Sequence, residues 1–385
     1  MSPEDYAITG YYTSFNTLIS PLIVFYMLHY YIKRYYELEE NDRIKLKSLV
    51  FKSLIFFSSL ITIGCFFALL GYLKLFNPDS EIPTFPYLIL SIVALPLTGV
   101  YSLLLADYRI SRQSTSFFKI SVTSGVSLVA FNLLFVVLFK WGAFGKLLAP
   151  LFVNFVFFIY SLWKCKDLWQ YPFDRSQFKE MIKFCFPLTL AAMLGFFSNG
   201  YDRVFLERIG DVTELGYYVV GVQMAGYLTV FQTALSSTFQ PDVYENVVKR
   251  NFRKLAKIVA LMVVSISAIV LVFILLCPYI ISILTAGRYV ESTYYTQIIS
   301  LSSITSVIYY SLSQVTIALG HTKITLMNKI LGSVLTIALF SFLINHYQYE
   351  GACWGIVLSF LVFFLGNILL LLMFYRSHVE NLIHK

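Results

Sequence analysis

The sequence predicts an all-α polytopic membrane protein, with about eleven transmembrane helices in two pseudo-repeated bundles around a central cavity. Three observations carry this. Of the 385 residues 58% are hydrophobic and only 13% charged, and the mean hydropathy is +0.72, a balance that soluble globular domains do not show. Apolar runs long enough to cross ~30 Å of hydrocarbon recur from end to end. Finally, the chain resembles itself at an offset of about 208 residues.

Taken in order, the apolar runs fall at 7–32, 50–73, 86–106, 117–139, 146–163, 182–205, 214–239, 257–284, 295–319, 324–345 and 352–375. Each is read as a helix, because a bilayer admits helices or closed barrels and these runs lack the alternation of barrel strands. The connecting loops set the orientation. One set holds 23 of the 29 Lys and Arg and the other holds 6, which places the first set, and the C-terminus with it, in the cytoplasm. An odd number of spans then puts the N-terminus outside. "MSPEDY" has no basic region ahead of an apolar core, so no cleavable signal is expected. Basic cytoplasmic loops also account for the net charge of +8, and no nucleic-acid partner is expected.

The self-resemblance starts at "YYELEENDRIKLKSLV" (35–50) and "VYENVVKRNFRKLAKIV" (243–259), where Tyr36-Glu37 matches Tyr244-Glu245. The shift lays spans one to five on spans seven to eleven, a parallel repeat of the kind found in transporters. It divides the chain into bundles at 1–165 and 166–385. The sixth span has no counterpart, since its equivalent would precede Met1. A first helix is therefore expected to be absent from this chain.

Here the sequence resembles a known family. "MSPEDYAITGYY" is similar to a loop that follows the first helix in the Wzx-type polysaccharide flippases, which share a superfamily with multidrug/toxin-extrusion antiporters and lipid II flippases. "YDRVFLERIGDVTELGYY" and "SSTFQPDVYE" resemble two later motifs of that family, through Asp202, Arg203, Phe205, Gly210, Gly216, Tyr217, Phe239, Pro241 and Tyr244. Phe239 stands where the family has Trp, and Ala7 where it has Gly. The resemblance implies a transporter in a bacterial inner membrane, flipping undecaprenyl-diphosphate-linked oligosaccharide from the cytoplasmic to the outer leaflet by alternating access. It implies membrane lipids around the chain and a polysaccharide polymerase and glycosyltransferases as partners, in lipopolysaccharide or O-antigen synthesis.

A diphosphate needs cations in a site shielded from water. Lys119 leads a polar stripe with Thr123 and Ser127 in the fourth span, and Lys329 belongs to a similar stripe with Thr325, Ser333 and Thr336 in the tenth. The two lysines are 210 apart, close to the repeat, and are candidates for capturing diphosphate at the inner mouth. Lys52, at the very start of its span, is a weaker candidate. Asp202 and Arg203 in the sixth span complete the candidate substrate site. Adjacent helical residues point ~100° apart, so each is expected to find its own neighbour, within a charged collar that includes Glu207 and Arg208. Asn132, Asn154, Asn199, Gln223, Gln232, Gln314 and Asn367 are further polar residues in spans, and Pro96, Pro187 and Pro278 are candidate kinks.

No enzyme, cofactor or metal is expected. The five Cys lack metal or redox spacing, the five His do not cluster, and no P-loop, GxGxxG or HExxH occurs. Two rivals share parts of the pattern. A drug antiporter would carry carboxylates inside its spans, where this chain has almost none. A polysaccharide polymerase would carry a large outer loop, and the outer loops at 73–86 and 285–294 are short.

Overall fold

The computed structural model describes residues 1–35, 38–76, 80–319 and 321–383. The Tyr36-Glu37 pair lies outside the described residues. Among those residues there are helices and no strands, and seven helices are long and apolar enough to cross a membrane. The chain is an all-α polytopic membrane protein.

It divides into two compact units, Met1–Phe196 and Phe197–Lys385, where the sequence places a boundary at 165/166. The difference lies in α7 (Arg175–Met193), which packs on α1 (Pro3–Val24) and α2 (Met27–Tyr35) in the first unit. The Cys185 thiol of α7 donates to the Tyr26 carbonyl at 3.5 Å, and Arg34 of α2 pairs with Glu180. The first unit also holds α3 (Glu40–Phe76), α4 (Tyr87–Ile110), α5 (Ser114–Asn132) with its π-helical continuation Leu133–Leu138, and α6 (Gly142–Lys164). A 3-10 turn, Lys166–Gln170, leads from α6 towards α7. Its strap is held by α3: Ser48 donates to the Leu168 carbonyl at 2.7 Å, and the Lys52 ammonium donates to the carbonyls of Trp169 and Tyr171. Lys52 therefore serves the fold.

The units meet at the start of the short α8 (Phe196–Asn199), and the second unit goes on with α9 (Tyr201–Glu207). It continues through α10 (Val212–Gly226), α11 (Leu228–Val248), α12 (Phe252–Thr285), α13 (Ser292–Ser300), α14 (Ser302–Ala318) and α15 (Thr322–Ile383). α15 covers the last two spans. It breaks at Gln348, whose φ of 48° and ψ of −125° are not helical, and its arms fold back on each other. Asn328 of the first arm donates to the Phe363 carbonyl of the second at 2.8 Å. Gly332 and Gly355 admit the rings of Phe363 and Phe340.

The packing within each unit follows one scheme, as the repeat requires. α1 lies on α3 and α4, and α4 on α6; in the second unit α10 and α11 lie on α12, α13 and α14, and α14 on α15. The helix breaks do not fall at the prolines. α4, α7 and α12 run through Pro96, Pro187 and Pro278. The first span breaks instead at Phe25 and Tyr26, both at positive φ of 50° and 51°, and bends by 45°. In lipid, an internal proline is tolerated where neighbours re-satisfy the freed carbonyl.

The "SPEDY" start is a clamp. Ser2 and Asp5 form a reciprocal cap on α1. The other Asp5 oxygen accepts the Ala143 amide at the start of α6 at 2.8 Å. Gly142 sits at φ +51°, and a Cβ there would strike the Asp5 carboxylate. We expect Asp5→Ala to cost about 1–2 kcal/mol as a lost cap. Gly142→Ala should cost more, since the left-handed conformation alone adds ~1–2 kcal/mol for an L side chain. Melting of the purified protein in detergent measures both.

Candidate functional site

The "DRVFLERIGD" run folds into α9 and a tight turn. Gly210, at φ +85°, ends the turn with a conformation that other residues rarely adopt. Asp211 then caps α10 by accepting the Glu214 amide at 2.9 Å. Those two residues fix α9 against α10 and α15, and so fix Asp202 and Arg203.

Asp202 is 2% exposed. Its Oδ2 accepts the buried Tyr218 hydroxyl from α10 at 2.6 Å. The same oxygen lies 3.8 Å from the Arg203 Nε. This corrects the expectation that the adjacent charges point apart. The Cβ directions do diverge, but the long Arg side chain turns back to its neighbour, where a buried carboxylate without a cation would be costly. The expected collar changes as well, since Glu207 is buried.

On this pair opens a cavity of about 180 Å³ within the second unit, lined by Asn199, Asp202, Arg203, Gln232, Ser306 and Tyr310 among others. Gln232 Nε2 donates to Ser306 Oγ at 2.7 Å, and Ser306 donates to the Ser303 carbonyl at 3.0 Å. The lining also includes apolar Ile356 and Phe360, with the Tyr310 ring 6.1 Å from that of Phe360. The cavity thus joins one cation, one carboxylate, hydroxyl and amide groups, and an aromatic wall. That set suits an anionic or hydroxyl-bearing group. No group of three His, Cys, Asp or Glu suited to a metal occurs among the described residues.

Of the polar residues singled out from the sequence, Asn199 and Gln232 reach this cavity. Gln314 instead donates to Ser236 at 2.6 Å, and Asn367 accepts from Thr316 at 3.0 Å. Tyr218 and the serines of α14 were not foreseen. The visible signal was "SLSSITS" (300–306), a run of four serines within an apolar span. Lys119 and Lys329 do not line the cavity. Lys119 is exposed on α5 and Lys329 half-buried on the first arm of α15. Their local settings match across the repeat: Thr123 donates to the Lys119 carbonyl and Ser333 to the Lys329 carbonyl, each at 2.7 Å.

The fold is shared with solved transporters. An inward-facing multidrug resistance MATE family transporter of the MOP superfamily is similar at TM-score 0.69 and 15% identity, over 98% of this chain and 92% of that one. The lipid II flippase MurJ, in an inward closed conformation, is similar at TM-score 0.66 and 16% identity, over 96% of this chain and 81% of that one. The eukaryotic MATE transporter AtDTX14 follows at TM-score 0.62 and 14% identity, over 96% and 86%. At these identities the likeness shows the fold alone. No curated protein matches the sequence. The description "Polysaccharide biosynthesis protein" belongs to a family whose model matches residues 1–293, and with three quarters of its length so matched the chain belongs to that family.

Proposed function

We propose that this protein flips undecaprenyl-diphosphate-linked oligosaccharide from the cytoplasmic to the outer leaflet of a bacterial inner membrane, by alternating access and without covalent chemistry. The observation that carries the reading is Arg203, largely buried at a cavity whose other polar lining is hydroxyls, amides and the neighbouring Asp202 carboxylate. A sugar diphosphate offers one strong anion and many hydroxyls, and these walls offer the complementary groups. Asp202 tempers the positive charge, so that bound phosphate leaves again. Lys119 and Lys329 capture the diphosphate on the cytoplasmic side, where the distribution of basic loops also places the C-terminus. Glycosyltransferases make the substrate and a polymerase consumes the product, in O-antigen or a related polymer. A strain lacking the protein should accumulate the lipid-linked sugar unflipped, and unchanged surface polysaccharide in that strain refutes the reading.

The buried carboxylate of Asp202 favours one second reading, export of cationic drugs. It predicts that loss of the gene raises drug sensitivity and leaves surface polysaccharide intact.

The lysine pair gives a separate expectation. Lys329→Ala should lower export of the lipid-linked sugar by about tenfold, the worth of one charge-assisted hydrogen bond, at unchanged protein level. Lys329→Arg should keep most of it, and Lys119→Ala should act in the same direction. Export unaffected by alanine at both positions shows that the two only reach to the membrane surface.

A further inference from the structure

Tyr218 of α10 is fully buried and is not among the residues that line the Arg203 cavity. Its hydroxyl nevertheless ends 2.6 Å from Asp202 Oδ2, so the place of this ring decides how that carboxylate lies. Its neighbours fix the place. The ring stands 5.9 Å from that of Tyr295 on α13 and 6.2 Å from that of Tyr349 on α15. Both of those rings are tied back to the start of α10 by their own hydroxyls, Tyr295 to the Glu214 carboxylate and Tyr349 to the Asp211 carbonyl at 2.7 Å. One turn further along α10, a Cβ at Gly221 would fall 2.8 Å from that of Tyr295, so α10 and α13 are in close contact there.

The ion pair shows the consequence. Charge-assisted N–H···O bonds close to about 2.7–2.9 Å, whereas Arg203 Nε stands 3.8 Å from Asp202 Oδ2. That oxygen is the one Tyr218 holds. The arginine stem is long enough to close the gap, and a buried carboxylate that lost the tyrosine hydroxyl would need another donor. A closed pair would commit the guanidinium to Asp202. The open pair leaves more of its charge to an anion in the cavity that Arg203 lines.

We propose that Tyr218 is a positioning residue, which holds Asp202 open from Arg203 so that the guanidinium receives a phosphate oxygen. This rests on the flippase reading above and adds to it the residue that sets the strength of the phosphate site. The full chain in phosphatidylcholine nanodiscs should bind farnesyl diphosphate. Tyr218→Phe keeps the ring and removes the hydroxyl, and it should weaken that binding by about tenfold. In an Asp202→Asn background the same change should alter affinity by less than about twofold, because a neutral amide draws the guanidinium far less than a carboxylate does. Equal losses in the two backgrounds would mean that Tyr218 acts through the fold of α10, and would overturn the assignment. Equal affinity of Tyr218→Phe and wild type also overturns it and leaves the flippase reading standing. If Tyr218→Phe alone is too unstable to titrate, the Asp202→Asn variants decide. Asp202→Asn should bind at least about threefold more tightly than wild type, with no further change on adding Tyr218→Phe, and a loss on adding it overturns the assignment. Failure of the wild type to bind the probe overturns the flippase reading and this assignment together.

Discussion

Export of lipid-linked sugar falls by at least about tenfold when Arg203 becomes methionine, and it does not return when Asp202 is neutralised as well. The double change is needed because of the geometry. Asp202 is 2% exposed and has Arg203 Nε 3.8 Å from its Oδ2. Removing the cation alone leaves a buried carboxylate with the Tyr218 hydroxyl, and breaking a buried pair in this way costs ~3–5 kcal/mol. Lost activity in Arg203→Met alone would thus be confounded with lost protein. Asp202→Asn/Arg203→Met removes both charges, keeps a side chain able to accept from Tyr218, and should recover membrane abundance. If the pair only holds α9 to α10, export recovers with abundance. If Arg203 binds phosphate, export stays low, and Arg203→Lys keeps a part of it because the charge survives without the planar fork.

The second large effect concerns the hinge of α15. Glycine to alanine in an exposed helix ordinarily stabilises by ~1 kcal/mol. Gly351→Ala should do the opposite, because the new Cβ would fall on the backbone carbonyl of Leu343 across the hairpin. A side chain could yield there, whereas a backbone carbonyl cannot move without parting the two arms. We expect a loss of about 3 kcal/mol, the upper end for overpacking, seen as a lower melting temperature and less protein in the membrane. Gly64→Ala is the control: nothing lies within 4 Å of its Cβ position, so the sign should revert and stability should hold or rise. The arms carry Asn328 and Asn367, each buried with a partner on another helical segment, so the damage should extend to export.

Much of the fold is legible in the sequence because lipid makes the rules simple. A backbone in hydrocarbon must be helical, so each apolar run maps to helix, and the 208-residue offset foretells that α1 packs on α4 as α10 packs on α13. The breaks were not legible. Proline marks three candidates and none of them breaks, while the chain leaves the helical region at Phe25, Tyr26 and Gln348, which carry no breaking chemistry of their own. α7 reads as the start of a second bundle in the sequence, whereas in the structure it packs on α1 and α2, so the compact units divide after it. At the site, a charged pair inside an apolar run was visible at once. Its pairing was not, because a helical wheel describes Cβ directions and Arg203 is long enough to defeat them. Tyr218 was invisible for a simpler reason: with 28 tyrosines in the chain, nothing in the sequence separates the one that meets Asp202 from those that meet lipid.

The central claim is that the transported group is a lipid diphosphate bearing sugar. The most direct measurement reconstitutes the purified chain in vesicles with a fluorescent prenyl-diphosphate oligosaccharide and follows its movement between leaflets, by quenching from outside, beside a cationic dye loaded into the same vesicles. The account predicts faster transbilayer movement of the lipid than in protein-free vesicles, lost in Asp202→Asn/Arg203→Met, with no movement of the dye. Transport of the dye without movement of the lipid would contradict it.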